Sequence, residues 1–537
     1  MAQAQWTFFY YCNAESDLFD NVVTMVKNMG KLNFPPGNKV NILLLIDRIK
    51  IRDTMVVRRF YKDDEYKWHD ALRFVVRAEI DAIRDHAESS IGDVDMGDPD
   101  VLKDFIKWGR KEFPAKHYGL VIYGHGSGIS VGNMMEYTTR EAQAANFLLS
   151  ALIATSPVDS DDNTGRRLVA NELVELFNET VAVNRGPQFL NMDRNEAVES
   201  FARIYLDVVE TANEDQEAVR GPGFMVADDT EHSIFSKLSG DLEKNTFRGR
   251  NSDLYVYEIR QALQSIRFKP DLVLFDSCFM MTFETVLELK NSAHYLLGSQ
   301  GFNSRAPMSK QSFLQHLLNN PGIPPRELAA YIVENIPDRL GIESPEAPTV
   351  SGQPGVSPQR PDFFRKLYSY SCIDLKTVGA FNKAFNVLIT GLMNPDDEAI
   401  DELVNSTLLD IIPFYLVEKP DKFYIGTIDL LFFLEGLHQR GRNHSLLNAI
   451  QKCIRLLKKV IVMSSAGEEM TTSKRPAYNP KGLCIFFPSD SSLDIEGGTL
   501  MRSYWYAKSR KLLMLKEKSL WDDYILKRIS GWYETHH

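Results

Sequence analysis

The stretch LVIYGHGSGIS, residues 120–130, contains an apolar run that stops abruptly at a histidine with a glycine on each side. The run from Leu120 to Tyr123 is apolar throughout, a pattern typical of a parallel-sheet strand that is buried on both faces. Glycines at every second position after the run let the backbone turn sharply and approach other groups closely. We therefore predict a buried strand that ends in a tight turn, with His125 at its tip.

Four other short apolar runs share this pattern. They are WTFFYYC (6–12), VNILLLI (40–46), LVLF (272–275) and HYLLGS (294–299). Helical patterns at 18–29, 101–112 and 279–290 alternate with these runs. The alternation predicts an α/β domain of three layers, with helices on both faces of a mainly parallel sheet.

Composition and charge narrow the function classes. The chain has 537 residues and a formal net charge of −11, so its surface as a whole does not favour nucleic acid or acidic membranes. It contains no apolar run of the length that a membrane span needs, and we expect no such span. The first residues lack a signal-peptide pattern, so we expect a cytoplasmic protein, or a secreted or cell-envelope protein if a leader has been removed.

The rhythm of strands and helices changes along the chain, and it predicts four parts. Residues 1–130 and 223–342 form the α/β core, and 131–222 form a helical insertion between two core strands. The proline-rich segment 343–362 is a linker or a surface loop. Residues 363–537 are expected to form a second, mostly helical domain with one strand at GLCIFF (482–487).

A second unusual stretch is LVLFDSCFMMTFETVLEL, residues 272–289. Its strand ends at Phe275, and we expect a helix to begin directly after Cys278, where the helix dipole favours a thiolate. Both His125 and Cys278 follow predicted parallel strands, and ligands and catalytic groups collect along that edge of an α/β sheet. If the two strands are neighbours, sulfur and imidazole form a nucleophile and its base. The N–H groups of Gly126 and Cys278 are then candidates for an oxyanion hole.

The residues alone leave simpler interpretations open. A histidine at the end of a strand is often structural, and a lone cysteine before a helix is often a small buried hydrophobe. Five cysteines are scattered without a CxxC pair, which favours neither a zinc ribbon nor a disulfide framework. The sequence contains no P-loop, GxGxxG or HExxH motif.

Both motifs resemble those of the clostripain-type cysteine peptidases, which share the caspase-like core. The motifs are YGHGSG (123–128), after a strand, and DSC (276–278), after a later strand. Further resemblance lies in WTFFYYCNAESDL (6–18), the stretch 95–128, ELKNSAHYLLGSQ (288–300), SCIDLKTVGAFNKAF (371–385) and NPKGLCIFFP (479–488). The resemblance implies a caspase-like α/β/α sandwich and a cysteine endopeptidase.

The resemblance also implies roles for individual residues. Cys278 is expected to be the nucleophile and His125 the general base and later acid, while Gly126 donates its N–H to the oxyanion. Asp276 is expected to help form the primary specificity pocket and to favour cleavage after Arg or Lys. The expected reaction passes through a thioester acyl-enzyme. The alternative role for Asp276 is a helix cap on the following turn. Arg305, in a nearby loop without acidic residues, argues against a strong basic preference.

Partners and cofactors follow from the same interpretation. We expect a protein or peptide substrate, and a regulatory partner could bind the 131–222 insertion. The alternative function is a catalytically silent or switched intracellular regulatory protein of the caspase type. Calcium is known for some relatives, but DSDDNTG (159–165) departs from a calcium loop in its glycine and its last ligand. The expected chemistry needs no cofactor, and no metal site is predicted.

Overall fold

The computed structural model describes the parts of the chain that carry the sheet and most of the packed helices. The described residues are 3–13, 19–47, 70–77, 87–92, 94–132, 253–301, 311–336, 368–394, 398–409, 411, 427–441, 444–467, 480–487, 512, 518–525 and 527. All structural statements below concern these residues.

Strands and helices alternate through the first half of the described chain. The strands are β1 (Ala4–Cys12), β2 (Val40–Ile46), β3 (Leu72–Val75), β4 (Ser89–Ser90), β5 (Ala115–Tyr123), β6 (His125–Gly126), β7 (Ser130–Gly132), β8 (Leu254–Tyr255), β9 (Leu272–Asp276), β10 (Tyr295–Gly298), β11 (Ser369–Asp374), β12 (Thr427–Asp429), β13 (Ile461–Ala466) and β14 (Cys484–Phe486). The helices are α1 (Phe19–Gly30), α2 (Pro99–Glu112), α3 (Val256–Ser265), α4 (Phe283–Leu289), α5 (Gln311–Asn319), α6 (Pro325–Glu334), α7 (Leu375–Leu392), α8 (Glu398–Leu408), α9 (Leu430–Arg440) and α10 (His444–Val460).

One nine-stranded sheet organises the fold, in the order β13-β11-β10-β9-β5-β1-β2-β3-β4. Its five central strands, β10, β9, β5, β1 and β2, pair in parallel. They are the five apolar runs of the sequence, so the prediction of a mainly parallel sheet is confirmed. The parallel pairing brings the carboxyl ends of all five strands to the same edge.

Helices cover both faces of this sheet, because successive side chains of each strand point to opposite sides. On one face, Phe9 and Val273 pack with residues of α2, α3, α4 and α7. On the other, Phe8 and Leu274 pack with residues of α1, α5 and α6. The predicted three-layer α/β/α sandwich is therefore confirmed. Proline in the first turn and the Asp98 cap begin α2.

The C-terminal region differs from the sequence prediction of a single strand. Four strands lie in it, and two of them, β11 and β13, extend the central sheet through antiparallel pairs beside β10. The two strands are rich in serine, and β13 follows α10 without a turn signal, so neither shows the apolar run of a buried strand. β11 and β13 thus belong to the core sheet, while the division of the chain into domains stays a prediction.

Several predicted parts lie outside the described residues. The insertion at 131–222 falls there except for its first two residues, which belong to β7. The linker at 343–362 falls there entirely. Among the described helices, none combines the length and the apolar character that crossing a bilayer requires.

Candidate active site

The two residues of the expected dyad follow neighbouring strands. β5 and β9 pair in parallel, and their register sets Tyr123 opposite Asp276. His125 and Cys278 each come two residues after this pair, at the carboxyl edge of the sheet. The condition that the sequence left open, adjacency of the two strands, is met.

The two turns touch each other through backbone at Gly126. A methyl group in place of its hydrogen would lie 2.0 Å from the carbonyl oxygen of Cys278 and 2.9 Å from its nitrogen. Contacts this short are forbidden to a side chain, and backbone cannot shift as cheaply as the tip of a flexible side chain. Glycine is therefore required at 126, and the peptide after His125 lies against the peptide of Cys278.

Cys278 differs from the other cysteines in its exposure. All five lie in the described part of the chain, and Cys278 alone is not fully buried. The buried four are Cys12, Cys372, Cys453 and Cys484, and burial raises the pKa of each thiol. His125 is also partly exposed. The motifs thus contain the one cysteine that is not fully buried and a histidine that is partly exposed.

The segment after Cys278 corrects the expectation that a helix begins there. α4 begins only at Phe283, and Thr282 caps it by accepting from the N–H of Thr285. Phe279 has a φ of +58°, outside the right-handed helical region, and its N–H donates to the carbonyl of Gly301. The helix cannot include Cys278, so the expected helix-dipole contribution to its thiolate is wrong.

Asp276 ends β9 and is 3% exposed. Its alternative role as a cap of the following helix is not observed, because Thr282 caps α4. Burial raises the pKa of Cys12, and the charge of Asp276 raises it further. The carboxylate therefore lies near the ends of β1 and β9, next to the turn that carries Cys278.

Two threonines that sequence reasoning missed connect the turns. Thr282 and Thr285 both donate their hydroxyls to the carbonyl of Gly128, over 2.9 Å and 2.6 Å. Both side chains are fully buried. The glycine turn after His125 is thereby tied to the start of the helix after Cys278. The TxxT spacing in 282–285 was visible, but nothing local indicated its partner.

Metal ligands are not gathered at this site. Across the residues that the structure describes, no three His, Cys, Asp or Glu side chains form a group that could hold a metal ion. The segment 159–165 lies outside them. No step of the chemistry below is assigned to calcium.

A match to a protein-family model shows to which family the chain belongs. The model of the clostripain family matches residues 14–142 and 245–532, which is most of the sequence. The chain belongs to the clostripain family. This family of cysteine peptidases is the one that the two motifs resemble, and the match leaves out residues 143–244, within and beyond the proposed insertion.

Individual relatives of this clostripain-family chain are distant. Clostripain of Hathewaya histolytica is 28% identical over 130 residues, which is 23% of this chain and 23% of that protein. A secreted C11 cysteine protease from Bacteroides thetaiotaomicron, solved with an irreversible peptide inhibitor, has a TM-score of 0.47 and 13% identity, covering 94% of this chain and 99% of its own. An inactive zymogen C11 protease from Parabacteroides distasonis has a TM-score of 0.48 and 12% identity, covering 97% and 99%.

Proposed function

We propose that this chain is a cysteine endopeptidase that uses His125 and Cys278 as a catalytic dyad. The observation that carries the proposal is the backbone contact at Gly126, which joins the histidine turn to the cysteine turn. The partial exposure of both side chains supports it, since a nucleophile and its base must reach the substrate. A protein or peptide is the substrate.

The chemistry follows from the two side chains. His125 accepts the thiol proton as Cys278 attacks the scissile carbonyl, and the resulting tetrahedral intermediate carries the negative charge on the former carbonyl oxygen. The intermediate collapses, His125 gives the proton to the leaving amine, and a thioester remains on Cys278. Water, with His125 again as base, then releases the carboxylic acid and the thiol.

An oxyanion hole formed by the N–H groups of Gly126 and Cys278 belongs to the same proposal. The closeness of these two peptides supports it, because two donors must converge on one oxygen to stabilise its charge. Neither donor depends on a side chain, so the backbone path of the two turns sets their direction.

We further propose that Asp276 attracts the side chain before the scissile bond and that this side chain is Arg or Lys. A buried carboxylate at the end of β9, beside the cysteine turn, supports this specificity. Arginine can bind such a carboxylate through two hydrogen bonds, and lysine through one compact charge. Arg305 lies outside the described residues, so its effect on the pocket is left to experiment.

A peptide library tests these assignments together. We expect the wild-type chain to cleave after Arg or Lys, Cys278→Ala to abolish cleavage, and Asp276→Asn to reduce the kcat/KM for basic residues at least about tenfold. Cys453→Ala, which changes a buried cysteine far along the chain, is the control and retains cleavage. A thiol-directed peptide probe should label wild type and Cys453→Ala, but not Cys278→Ala.

Different results would point elsewhere. A clear acidic or apolar preference would refute the role of Asp276 while leaving the dyad intact. Absence of any cleavage or labelling that depends on Cys278 would favour the alternative function, a silent or switched regulatory protein acting through the 131–222 insertion.

A further inference from the structure

The turn that carries Cys278 donates hydrogen bonds to residues that follow β10. The N–H of Phe279 donates to the carbonyl of Gly301 over 2.8 Å, and the N–H of Met281 donates to the carbonyl of Ser299 over 2.9 Å. Phe279, the residue next to the nucleophile, has a positive φ that is rare for a bulky side chain. Such a conformation persists only where the surroundings impose it. The stretch 299–301 therefore helps to hold the turn in this conformation.

Gln300 is the middle residue of the stretch 299–301 and is 1% exposed. Its side-chain nitrogen donates to a carboxylate oxygen of Asp429 over 2.8 Å. Its side-chain oxygen accepts from the N–H of Gly482 over 2.7 Å. Both ends of the amide are thus bound to residues more than 120 positions along the chain, which orients the Gln300 side chain.

Asp429 completes the arrangement as an acceptor for several donors. Besides Gln300, it accepts from the backbone N–H groups of Lys481 over 2.6 Å and of Phe432 over 2.8 Å. Burial raises the pKa of Asp429 to about 6, although these hydrogen bonds act in the opposite direction. At neutral pH the carboxylate is charged and serves three N–H groups at once.

The segment that Gln300 and Asp429 hold also reaches the nucleophile turn directly. The N–H of Cys484 donates to the carbonyl of Met281 over 2.9 Å, and Thr282 pairs with Cys484 as an isolated parallel bridge. Gly482, two residues earlier, has a φ of +115° and little room for a side chain. The turn from 278 to 282 therefore bonds to residues 299–301 and also to Cys484.

We propose that Gln300 and Asp429 are positioning residues that hold the Phe279 turn and so aim the thiol and the N–H of Cys278. Neither residue touches the reacting atoms; both act through residues 299–301 and 482–484. The inference rests on the proposed role of Cys278 as nucleophile. It assigns to the C-terminal region, which the sequence marked as a separate domain, a part in building the active site.

Removing the carboxylate tests the inference because an amide cannot replace it. In Asp429→Asn, one orientation of the amide turns its NH₂ toward the N–H donors of Gln300 and Lys481, and the other turns it toward the N–H of Phe432. In Gln300→Glu, a carboxylate oxygen faces the carboxylate of Asp429. We expect each single variant to lower kcat at least tenfold on a basic peptide substrate, with KM changed less than twofold.

The double variant Gln300→Glu/Asp429→Asn exchanges the donor and the acceptor. The new amide at position 429 can then donate to the new carboxylate at position 300, which still accepts from Gly482, although Lys481 loses its acceptor. We expect kcat to recover at least threefold over either single variant, and the rate at which iodoacetamide alkylates Cys278 to recover with it. A merely structural role would not restore thiol reactivity together with kcat.

A matched control separates positioning from general destabilisation. Thr7 is fully buried in β1, and its hydroxyl donates to the carbonyl of Phe113 over 2.8 Å. Thr7→Val should lower the melting temperature while kcat and Cys278 alkylation stay within twofold of wild type, with all assays run well below every melting temperature. If either single variant does not fold, Gln300→Met replaces it, because it removes both hydrogen bonds while keeping a similar shape and no charge.

The outcomes distinguish this inference from the proposed function. If wild-type cleavage does not depend on Cys278, the proposed function fails, and the alkylation rates still decide the positioning role. If wild type cleaves through Cys278 and all Gln300 and Asp429 variants retain kcat and alkylation within twofold, the inference is overturned and the proposed function stands.

Discussion

The turn after β5 and the turn after β9 carry the two halves of the proposed dyad, but they are held in different ways. The histidine turn has close partners within its own segment: β6 pairs with β7, and the hydroxyls of Ser127 and Ser130 lie 2.7 Å apart. The cysteine turn is held by backbone partners in two later segments, 299–301 and 482–484. The histidine turn is thus shaped in part by its own segment, whereas the cysteine turn depends on segments that follow it in the chain.

Two contacts between the turns bear on their relative position. One is the backbone approach of Gly126 to Cys278, and the other is the pair of threonine hydroxyls on the carbonyl of Gly128. Changes at these contacts should therefore affect the relation of the two turns more than the stability of either turn alone.

The largest effect is expected from Gly126→Ala. The new methyl group would meet the carbonyl oxygen of Cys278 at 2.0 Å, so the two turns must move apart. Since a shift of about 1 Å at a reacting centre reduces rates about 100-fold, we expect cleavage to fall by that factor or more. Peptide cleavage and thermal unfolding of the purified variant measure the effect.

Gly322→Ala is the control for this substitution. An added methyl group there meets nothing within 4 Å. We expect wild-type cleavage from it. Near-normal activity of Gly126→Ala would show that the turns are not in contact as the structure has them.

A smaller effect is expected from Thr285→Val. The change removes one of the two hydroxyls on the carbonyl of Gly128 and keeps the shape of the side chain, while Thr282 still caps α4. Loss of one buried hydrogen bond destabilises by about 1–2 kcal/mol, and we expect kcat to fall several-fold as the glycine turn loosens. Urea unfolding and steady-state kinetics measure the two effects.

Thr407→Val provides a comparison outside the site. Thr407 is also buried, and its hydroxyl donates to a carbonyl of its own helix, α8. We expect Thr407→Val to lower the free energy of unfolding without a change in kcat. An equal loss of kcat in both threonine variants would argue that Thr285 contributes only to stability.

The smallest effect on cleavage, but a distinct one on stability, is expected from Glu284→Gln. Burial raises the pKa of Glu284, in the first turn of α4, to about 7. Between about pH 4.5 and 7 the unfolded chain has released this proton while the folded chain retains it, so this group makes stability fall as pH rises. Neutral glutamine removes that fall, which amounts to at most about 3 kcal/mol.

Unfolding by urea at a series of pH values checks this expectation. The stability of Glu284→Gln should depend less on pH than that of wild type between pH 4.5 and 7, with cleavage at neutral pH within twofold. If the free energy of unfolding of the two proteins changed with pH in the same way, Glu284 would not retain its proton in the folded chain between pH 4.5 and 7.

Much of the core was readable because strong local patterns marked it. The runs at 6–12 and 40–46 become β1 and β2 with nearly the predicted bounds, since short uninterrupted apolar runs are typical of strands buried on both faces. The helix start after Cys278 was misplaced because the mostly apolar stretch 279–283 looks helical. The N–H groups of Phe279 and Met281 bond to residues 301 and 299 instead of to a preceding turn.

Other features could not be predicted because their partners are remote. Serines interrupt the apolar residues of β11 and β13, and only the pairing of β11 with β10 and of β13 with β11 makes them part of the sheet. No sequence pattern near Gln300 or Asp429 indicates that their side chains bond to each other. The residues around each are typical of an ordinary loop or helix cap. Side chains satisfied by long-range contacts leave no local periodicity.

The sequence by itself determined the five parallel strands, their order of appearance, and the two motifs placed at their carboxyl ends, because burial on both faces and tight turns have direct signatures in residue type. The tertiary structure decided that β5 and β9 are neighbours, that Gly126 lies against Cys278, and that the C-terminal strands support the nucleophile turn. Strand order and register arise from the packing of the whole sheet, in which neighbouring strands come from separate parts of the chain, as the pairing of Tyr123 with Asp276 shows.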